Sequence, residues 1–335
     1  MSLAPDLNVL RCPQCNAPIT PPSRFARSAV CGFCGSTVQV DPSSVRSSRF
    51  KEAFREQNVR PVGALTLGNA HWLPGPLLAH GEISDVYFAD RTRAPSERVL
   101  LKVLRDDRDA PLFEQEWKVL SDLQRTLAAA TLMRRIPEPV VHGKISEGPN
   151  AGRMALAFGY ERGFDHTVEA VQRAHPNGIN PRAATWVWRR LLETLTFLHR
   201  SGFAHGAVLP NHLLIERNEH GLRLVGFTCA VPLGGPLNLI VERFEPFYPR
   251  EMRERHHASA ESDLRMAARC IASLLGGDPS TGKVPDSVPS SLAEYLRDCA
   301  SDDSTRRDAW AQRQDVGSIA SRVFGAPSFN PISMP

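Results

Sequence analysis

The stretch Leu198-His-Arg-Ser-Gly202-Phe-Ala-His205-Gly206-Ala207-Val-Leu209-Pro210-Asn211-His212-Leu213-Leu-Ile215 lies between two unlike patterns. Upstream, residues 182–200 carry Trp186, Leu191, Leu192, Leu195 and Leu198 at helical spacing. They predict a long helix with a wide apolar face. Downstream, Leu213–Ile215 and Leu222–Val225 are short apolar runs that predict two strands. A long helix, a tight glycine-bearing loop and a strand pair thus follow one another. Further towards the N-terminus, Val86–Phe88, Val99–Leu104, Val140–Val141 and Met154–Phe158 read as strands. Between them, Leu112–Leu127 has Phe113, Trp117, Leu120 and Leu123 at helical spacing. Towards the C-terminus, 260–323 reads as mainly helical, broken at 276–290 by Gly, Pro and Ser.

The 335 residues carry 40 basic and 36 acidic side chains, a net charge of +4, with 42% hydrophobic and 23% charged residues. This is the balance of a globular chain and argues against bulk disorder. A basic excess this small does not imply nucleic acid without a basic stripe. The N-terminus has no basic and apolar leader, and no run of about 18 apolar residues occurs, so no membrane span is expected.

Seven cysteines fall into a tight cluster, Cys12, Cys15, Cys31 and Cys34, and a scattered set, Cys229, Cys270 and Cys299. Cys12-Pro-Gln-Cys15 and Cys31-Gly-Phe-Cys34 are two C-x-x-C turns separated by fifteen residues. Thiolates at i and i+3 on a tight turn supply two ligands from one side, and two such turns close a tetrahedral Zn²⁺ site with no open position. Without an export signal the cluster reads as a metal site in a reducing, cytoplasmic setting instead of disulfides. About 30 residues cannot bury a sufficient core, so the metal supplies the folding energy. Gly32 and Gly35 suit the second turn. The cluster resembles a zinc ribbon. Arg11, Arg24 and Arg27, with Phe25 and Phe33, keep a nucleic-acid contact open for it.

The order of motifs after residue 64 resembles a protein kinase over about 250 residues. Leu78-Ala-His-Gly81-Glu-Ile-Ser84-Asp-Val86 stands for the glycine-rich turn, Val99-Leu-Leu-Lys102 for the strand lysine and Glu116 for the helix glutamate. Residues 198–215 stand for the catalytic loop, Gly226-Phe227-Thr228 for D-F-G, and Tyr248-Pro249-Arg250-Glu251 for the end of the activation segment. Ser262-Asp263-Leu264 would open the central helix whose Asp braces the catalytic loop. The resemblance implies an α+β fold: a small four-Cys ribbon (1–40), a linker with a short helix (41–63), and a bilobal kinase-like domain (64–325). The β-rich N-lobe would cover about 64–158, the helical C-lobe about 159–325, and 326–335 would be a loose tail. His205, Phe227 and Leu120 match the apolar spine, and Lys102 and Glu116 can form the family's ion pair. Arg306 and Arg307 are candidates for the arginine that pairs Glu251.

The departures bear on chemistry. The loop base is Ala207, the phosphate-contacting lysine is Leu209, the metal-binding asparagine is His212, and the D-F-G aspartate is Gly226; Asn211 leaves a one-residue slip open. A methyl group cannot act as a base, and Mg²⁺ needs oxygen ligands. The H-R-D arginine is Gly206, and no Ser or Thr lies between Thr228 and Glu251 to serve as a phosphosite. The expectation is a pseudokinase that signals or scaffolds by docking proteins, with structural Zn²⁺. ATP at Gly81, Lys102 and Glu116 stays an open question, and Mg²⁺ is not expected. The alternative is an atypical phosphoryl- or nucleotidyl-transferase using Glu82, Asp85 or Glu216; a third reading is nucleic-acid binding through the ribbon.

Overall fold

The computed structural model describes residues 12, 15, 17, 19, 28–32, 34–39, 63–126, 134–216 and 221–334. The expected linker helix of 41–62 and the ribbon's Arg11, Arg24, Arg27, Phe25 and Phe33 lie outside them. The chain divides into two compact units, Met1–Asp109 with Val140–Tyr160, and Ala110–Pro139 with Glu161–Pro335. The helix after the lysine strand therefore groups with the helical unit, whereas the expected lobe limit at 158 put it with the strands.

The first unit begins with a small hairpin, β1 (Ser28–Val30) against β2 (Thr37–Gln39). A six-stranded sheet follows, built from β3 (Leu65–Leu67), β4 (Ala70–His80), β5 (Ser84–Arg91), β6 (Ala94–Leu104), β7 (Pro139–Lys144) and β8 (Met154–Gly159) in the order β3-β4-β5-β6-β8-β7. Val99, Leu101 and Val103 of β6, with Trp72, Ala89, Ala155 and Ala157, make its core face. Strand periodicity puts Lys102 on the opposite face, in register with Val86 and Leu156. The sequence reading named no strand over Ala70–His80, a stretch that contains Pro74 and Pro76. Both are tolerated because β3 pairs with Ala70–Trp72, and among the described residues no strand pairs with the outer edge of β4 beyond Trp72 for a proline to interrupt.

The second unit holds α1 (Ala110–Thr126), β9 (His166–Thr167), α2 (Val168–Ala174), α3 (Pro181–Arg200), β10 (Phe203–Ala204), β11 (Leu213–Glu216), β12 (Gly221–Leu224), β13 (Val231–Pro232), α4 (Arg250–Arg255), α5 (Ala260–Leu274), α6 (Ser290–Ala300) and α7 (Ala309–Phe324). On α1 the buried stripe is Phe113, Glu116, Val119, Leu120 and Leu123, so Glu116 takes a place that Trp117 was expected to share. α3 starts with Asn180 accepting from Arg182 N–H and Pro181 in the first turn, the usual devices for a helix start. Its core tryptophan is Trp188, fully buried, whereas Trp186 is half-buried. At 100° per residue Trp188 shares a stripe with Leu191, Leu192 and Leu195, whereas Trp186 falls about 160° from Trp188, on the other side of the helix. α5 opens with a capping box between Ser259 and Ser262.

The end of the chain corrects the expected loose tail. Ile332 is buried, Ser333 O accepts from His175 Nε2 at 2.6 Å, and Arg182 donates to Ala326 O at 3.0 Å as well as to Phe324 O and Ser328 Oγ. No helix among the described residues is long and apolar enough to cross a membrane.

Candidate functional sites

The four-cysteine cluster sits at the turn end of the β1–β2 hairpin, whose connecting loop carries Cys31 and Cys34. All four Sγ atoms lie within 4.8 Å of one another, with Cys12–Cys34 at 3.4 Å and Cys15–Cys31 at 3.3 Å. Sulfurs bound tetrahedrally at about 2.3 Å from Zn²⁺ would be about 3.8 Å apart, so the cluster could hold such an ion with small adjustments. The backbone turns are built for it. Gly35 N–H donates to Cys31 O at 2.8 Å, Cys31 N–H to Ser36 O at 2.9 Å, and Ala17 N–H to Cys15 Sγ at 3.4 Å. Gly35 has φ +68° and so needs glycine; Gly32 does not, and a Cβ there would meet open space. Burial raises the Cys34 thiol, but hydrogen bonds from Ser36, Cys12 and Cys31 outweigh it and bring it down to about 6. A thiol held that low supplies the thiolate a metal requires.

In the first unit, Gly81 sits in the β4–β5 turn, but the turn is filled by its own chain. Gly81 N–H donates to Ser84 O at 2.9 Å. Arg105 donates to Gly81 O at 2.5 Å, Ser84 O at 3.1 Å, Asp85 Oδ1 at 2.9 Å and also to Glu82 O. A phosphate cradle needs backbone N–H groups turned to the anion. Here carbonyls converge on a guanidinium, and the Gly81 N–H is spent inside the turn. Asp85, one of the alternative carboxylates, is held by Arg105 and by His80 Nδ1 at 2.6 Å. Glu82 is exposed at the turn tip, and Glu216 lies on β11, against Gly163 and Gly221.

In the second unit, the loop after α3 is tied to α5 by Asp263. This wholly buried carboxylate accepts from His205 N–H at 2.7 Å, Gly206 N–H at 2.9 Å and His199 Nε2 at 3.0 Å. It braces the loop as the sequence implied. His205 Nε2 donates to Val225 O at 3.1 Å, which leaves Nδ1 as the acceptor for Ala207 N–H at 3.3 Å. Burial lowers its pKa, so it is a neutral ring with both nitrogens satisfied. It packs edge-on to Phe227 at 4.7 Å between centroids. Leu120, Ala207 and Leu209 are fully buried. Glu116 is buried as well and accepts from Thr228 Oγ1 at 2.9 Å.

The residues at 212 and 226 are matched to each other. His212 Nδ1 donates to Ala207 O at 2.8 Å, and Val225 N–H donates back to His212 O at 2.9 Å. These bonds hold the imidazole over Gly226, where a Cβ would lie 2.7 Å from His212 Cδ2 and Nε2. Gly226 is left-handed, φ +80°. The buried Oδ1 of Asn211 has no hydrogen-bond partner among the described residues. Gly206 is equally enclosed, since a Cβ would meet Cys229 O at 2.6 Å.

One expected pairing is wrong. Glu251 is bound by Arg265 of α5, which also donates to Ser304 O, and not by Arg306 or Arg307. Arg306 instead holds Asp298 at 2.9 Å and Asp315 at 3.1 Å, while Arg307 reaches Glu261 at 3.2 Å. Reading the family position onto adjacent arginines missed that one turn of α5 already offers a buried guanidinium.

Two further features escaped the sequence reading. Glu193 of α3 accepts from Arg135 at 2.6 Å, Arg190 at 3.0 Å and Arg313 at 2.9 Å. A polar cavity of about 340 Å³ lies beneath the activation-segment region, lined by Glu245, Tyr248, Arg253, Arg269, Asp278 and Asp302 among others. Neither has a sequence motif; both depend on residues far apart in the chain.

Solved structures similar to this chain are protein kinase domains. The kinase domain of BubR1 matches with a TM-score of 0.59 at 15% identity, covering 84% of this chain and 92% of that one. A rhoptry kinase of Toxoplasma gondii matches with a TM-score of 0.56 at 14% identity, covering 77% and 83%. The chain therefore has the bilobal protein kinase fold, with a four-cysteine cluster ahead of it. Among curated proteins, the STE20-related kinase adapter protein strd-1 of Caenorhabditis elegans is 24% identical over 151 residues, 40% of this chain and 39% of that protein. The chain spans about two fifths of that relative's length. No protein-family model matches.

Proposed function

We propose that this chain is a pseudokinase: a kinase-fold module that regulates or scaffolds by docking proteins, joined to a zinc ribbon held by Cys12, Cys15, Cys31 and Cys34. The observation that carries the reading is the His212–Gly226 pair. If these are the two metal-ligand positions of the fold, a ring pinned by Ala207 O stands where the side chain of 226 would begin. Neither residue offers the oxygen ligands that Mg²⁺ requires. Ala207 supplies no base, and Leu209 supplies no cation for the transferred phosphate. The self-filled turn around Gly81 argues the same way. The likeness to a kinase adapter supports a docking role.

The zinc would supply folding energy and no chemistry, since four thiolates close its coordination. Purified protein is expected to carry one zinc per chain. Its thermal stability is expected to respond no differently to ATP with Mg²⁺ than to ATP alone, because a ligand stabilises only by binding the folded state. Metal-dependent ATP turnover that disappears on Lys102→Ala would overturn the reading.

A further inference from the structure

Arg189 is unlike every other arginine around it. It lies on α3 against α7, so close to Gly317 that a Cβ there would be 3.5 Å from its Nε. That Nε is buried with no hydrogen-bond partner, and among the described residues the side chain makes no hydrogen bond or ion pair at all. Its one neighbour of opposite sign, Glu193, is already shared by Arg135, Arg190 and Arg313. Four guanidiniums therefore surround one carboxylate. Burial, and then the charge of Arg313, lower the Arg189 pKa, as expected of a cation short of a counter-ion. Beside it runs a cavity of about 40 Å³ between α3, α7 and the chain's end. Arg182, Thr185, Trp186, Ser321 and Phe324 line it with Arg189, and no acidic residue does. Arg182 is spent on carbonyls of the C-terminal segment.

A partly buried guanidinium with five donors is costly unless paired, and its natural partner is a planar oxyanion met in a fork. We propose that Arg189 anchors a docking site on the α3–α7 face for an acidic segment of a partner protein, whose Asp or Glu carboxylate enters this cavity. Glu193 displays the same recognition within the cluster. The size of the cavity admits a carboxylate and not a nucleobase. Trp186, which a base would need for stacking, is covered by Arg189 and Arg190, 5.3 and 5.8 Å from its ring centre. Trp310, 38% exposed with Arg313 over its ring at 4.9 Å, adds the Trp and Arg content typical of energetic centres in protein interfaces. The choice of a protein partner rests on the docking function proposed above.

The test is calorimetric titration of the full chain with a Glu-rich peptide at low salt, comparing Arg189→Gln with Arg200→Gln, an exposed arginine that removes the same charge. Saturable binding weakened tenfold or more by R189Q and unchanged by R200Q is expected. The R189Q melting temperature should not fall below that of the wild type, because no hydrogen bond or ion pair is lost and an unpaired buried cation is removed. Should R189Q fail to fold, Arg189→Lys keeps the charge and removes the fork, and a several-fold weakening is expected. Equal affinity in wild type and R189Q, equal losses in R189Q and R200Q, or an unweakened R189K would each overturn the site. So would Arg189-dependent binding of a phosphoserine peptide or single-stranded DNA in place of the acidic peptide. Magnesium-dependent ATP turnover would instead refute the pseudokinase reading and leave these comparisons standing.

Discussion

Gly226→Asp restores the residue that the kinase resemblance expects, and the structure says it will be costly for a specific reason. A left-handed conformation costs a non-glycine residue about 1–2 kcal/mol, with Asp at the lower end; φ here is +80°. The new Cβ would stand 2.7 Å from the His212 ring, well inside contact distance. Forcing such overlap in a packed site costs about 1–3 kcal/mol. Moving the ring away gives up its 2.8 Å bond to Ala207 O, worth about 1 kcal/mol. The total is about 3–5 kcal/mol. For a domain of this size each kcal/mol moves the melting temperature by about 2–4 °C, so a drop of about 10 °C is expected in calorimetry. In a His212→Asn background the contacts with Cδ2 and Nε2 are gone while a Cγ remains, and the same substitution should cost about 1 kcal/mol less. That difference is the coupling energy of a double-mutant cycle. The double variant also regains two oxygen ligands, so ATP with Mg²⁺ should raise its melting temperature where it leaves the wild type unmoved. Additive effects, with zero coupling, would refute the claim that 212 and 226 are matched.

If Cys12, Cys15, Cys31 and Cys34 hold zinc as proposed, a chelator should unfold the region around the β1–β2 hairpin while leaving the kinase-fold transition in place, read by hydrogen exchange at 28–39 against 181–200. Acid should act on Glu193. Burial raises its pKa, but Arg135, Arg190 and Arg313 prevail and hold it at about 2 against an ordinary 4.5. A depressed acid contributes stability that is whole above 4.5 and is lost as pH falls towards 2. Glu193→Gln should therefore flatten the acid limb of the stability curve, and an unchanged limb would disprove this role. Arg265→Ala should lower the melting temperature by several degrees through the loss of a partly buried pair with Glu251, whereas Arg306→Ala and Arg307→Ala, whose pairs are largely solvated, should each shift it by a degree or two.

Much of this protein was legible from residues alone, because the signals were local. The C-x-x-C turns place sulfur ligands within one turn of chain, and thirty residues need no distant partner to bring them together. The stripes of α1 and α3, the lysine strand and the loop at 198–215 follow from periodicity over a few turns. The resemblance to protein kinases implied Asp263 as the brace, and its contacts with His205 and Gly206 agree with that role. Where local rules failed, a neighbour distant in sequence had prevailed. β4 forms through two prolines because, among the described residues, no strand pairs with its outer edge beyond Trp72. Trp188 and not Trp186 enters the core because the face of a helix is chosen by what packs on it. The tail is held by Arg182 and His175, residues some 150 positions away.

The sequence by itself determined the cysteine cluster and, through its resemblance to protein kinases, the expected fold class and the positions at which that resemblance expects other residues. Only the tertiary structure decided what those replacements do. It brought His212 onto Gly226, closed the Gly81 turn with Arg105, gave Glu251 to Arg265, and left Arg189 charged and unpaired beside an acid-free cavity. Each of these is a matter of distance between side chains remote in sequence. Electrostatic and steric energies change over a few ångströms, and residue order alone does not specify a separation on that scale.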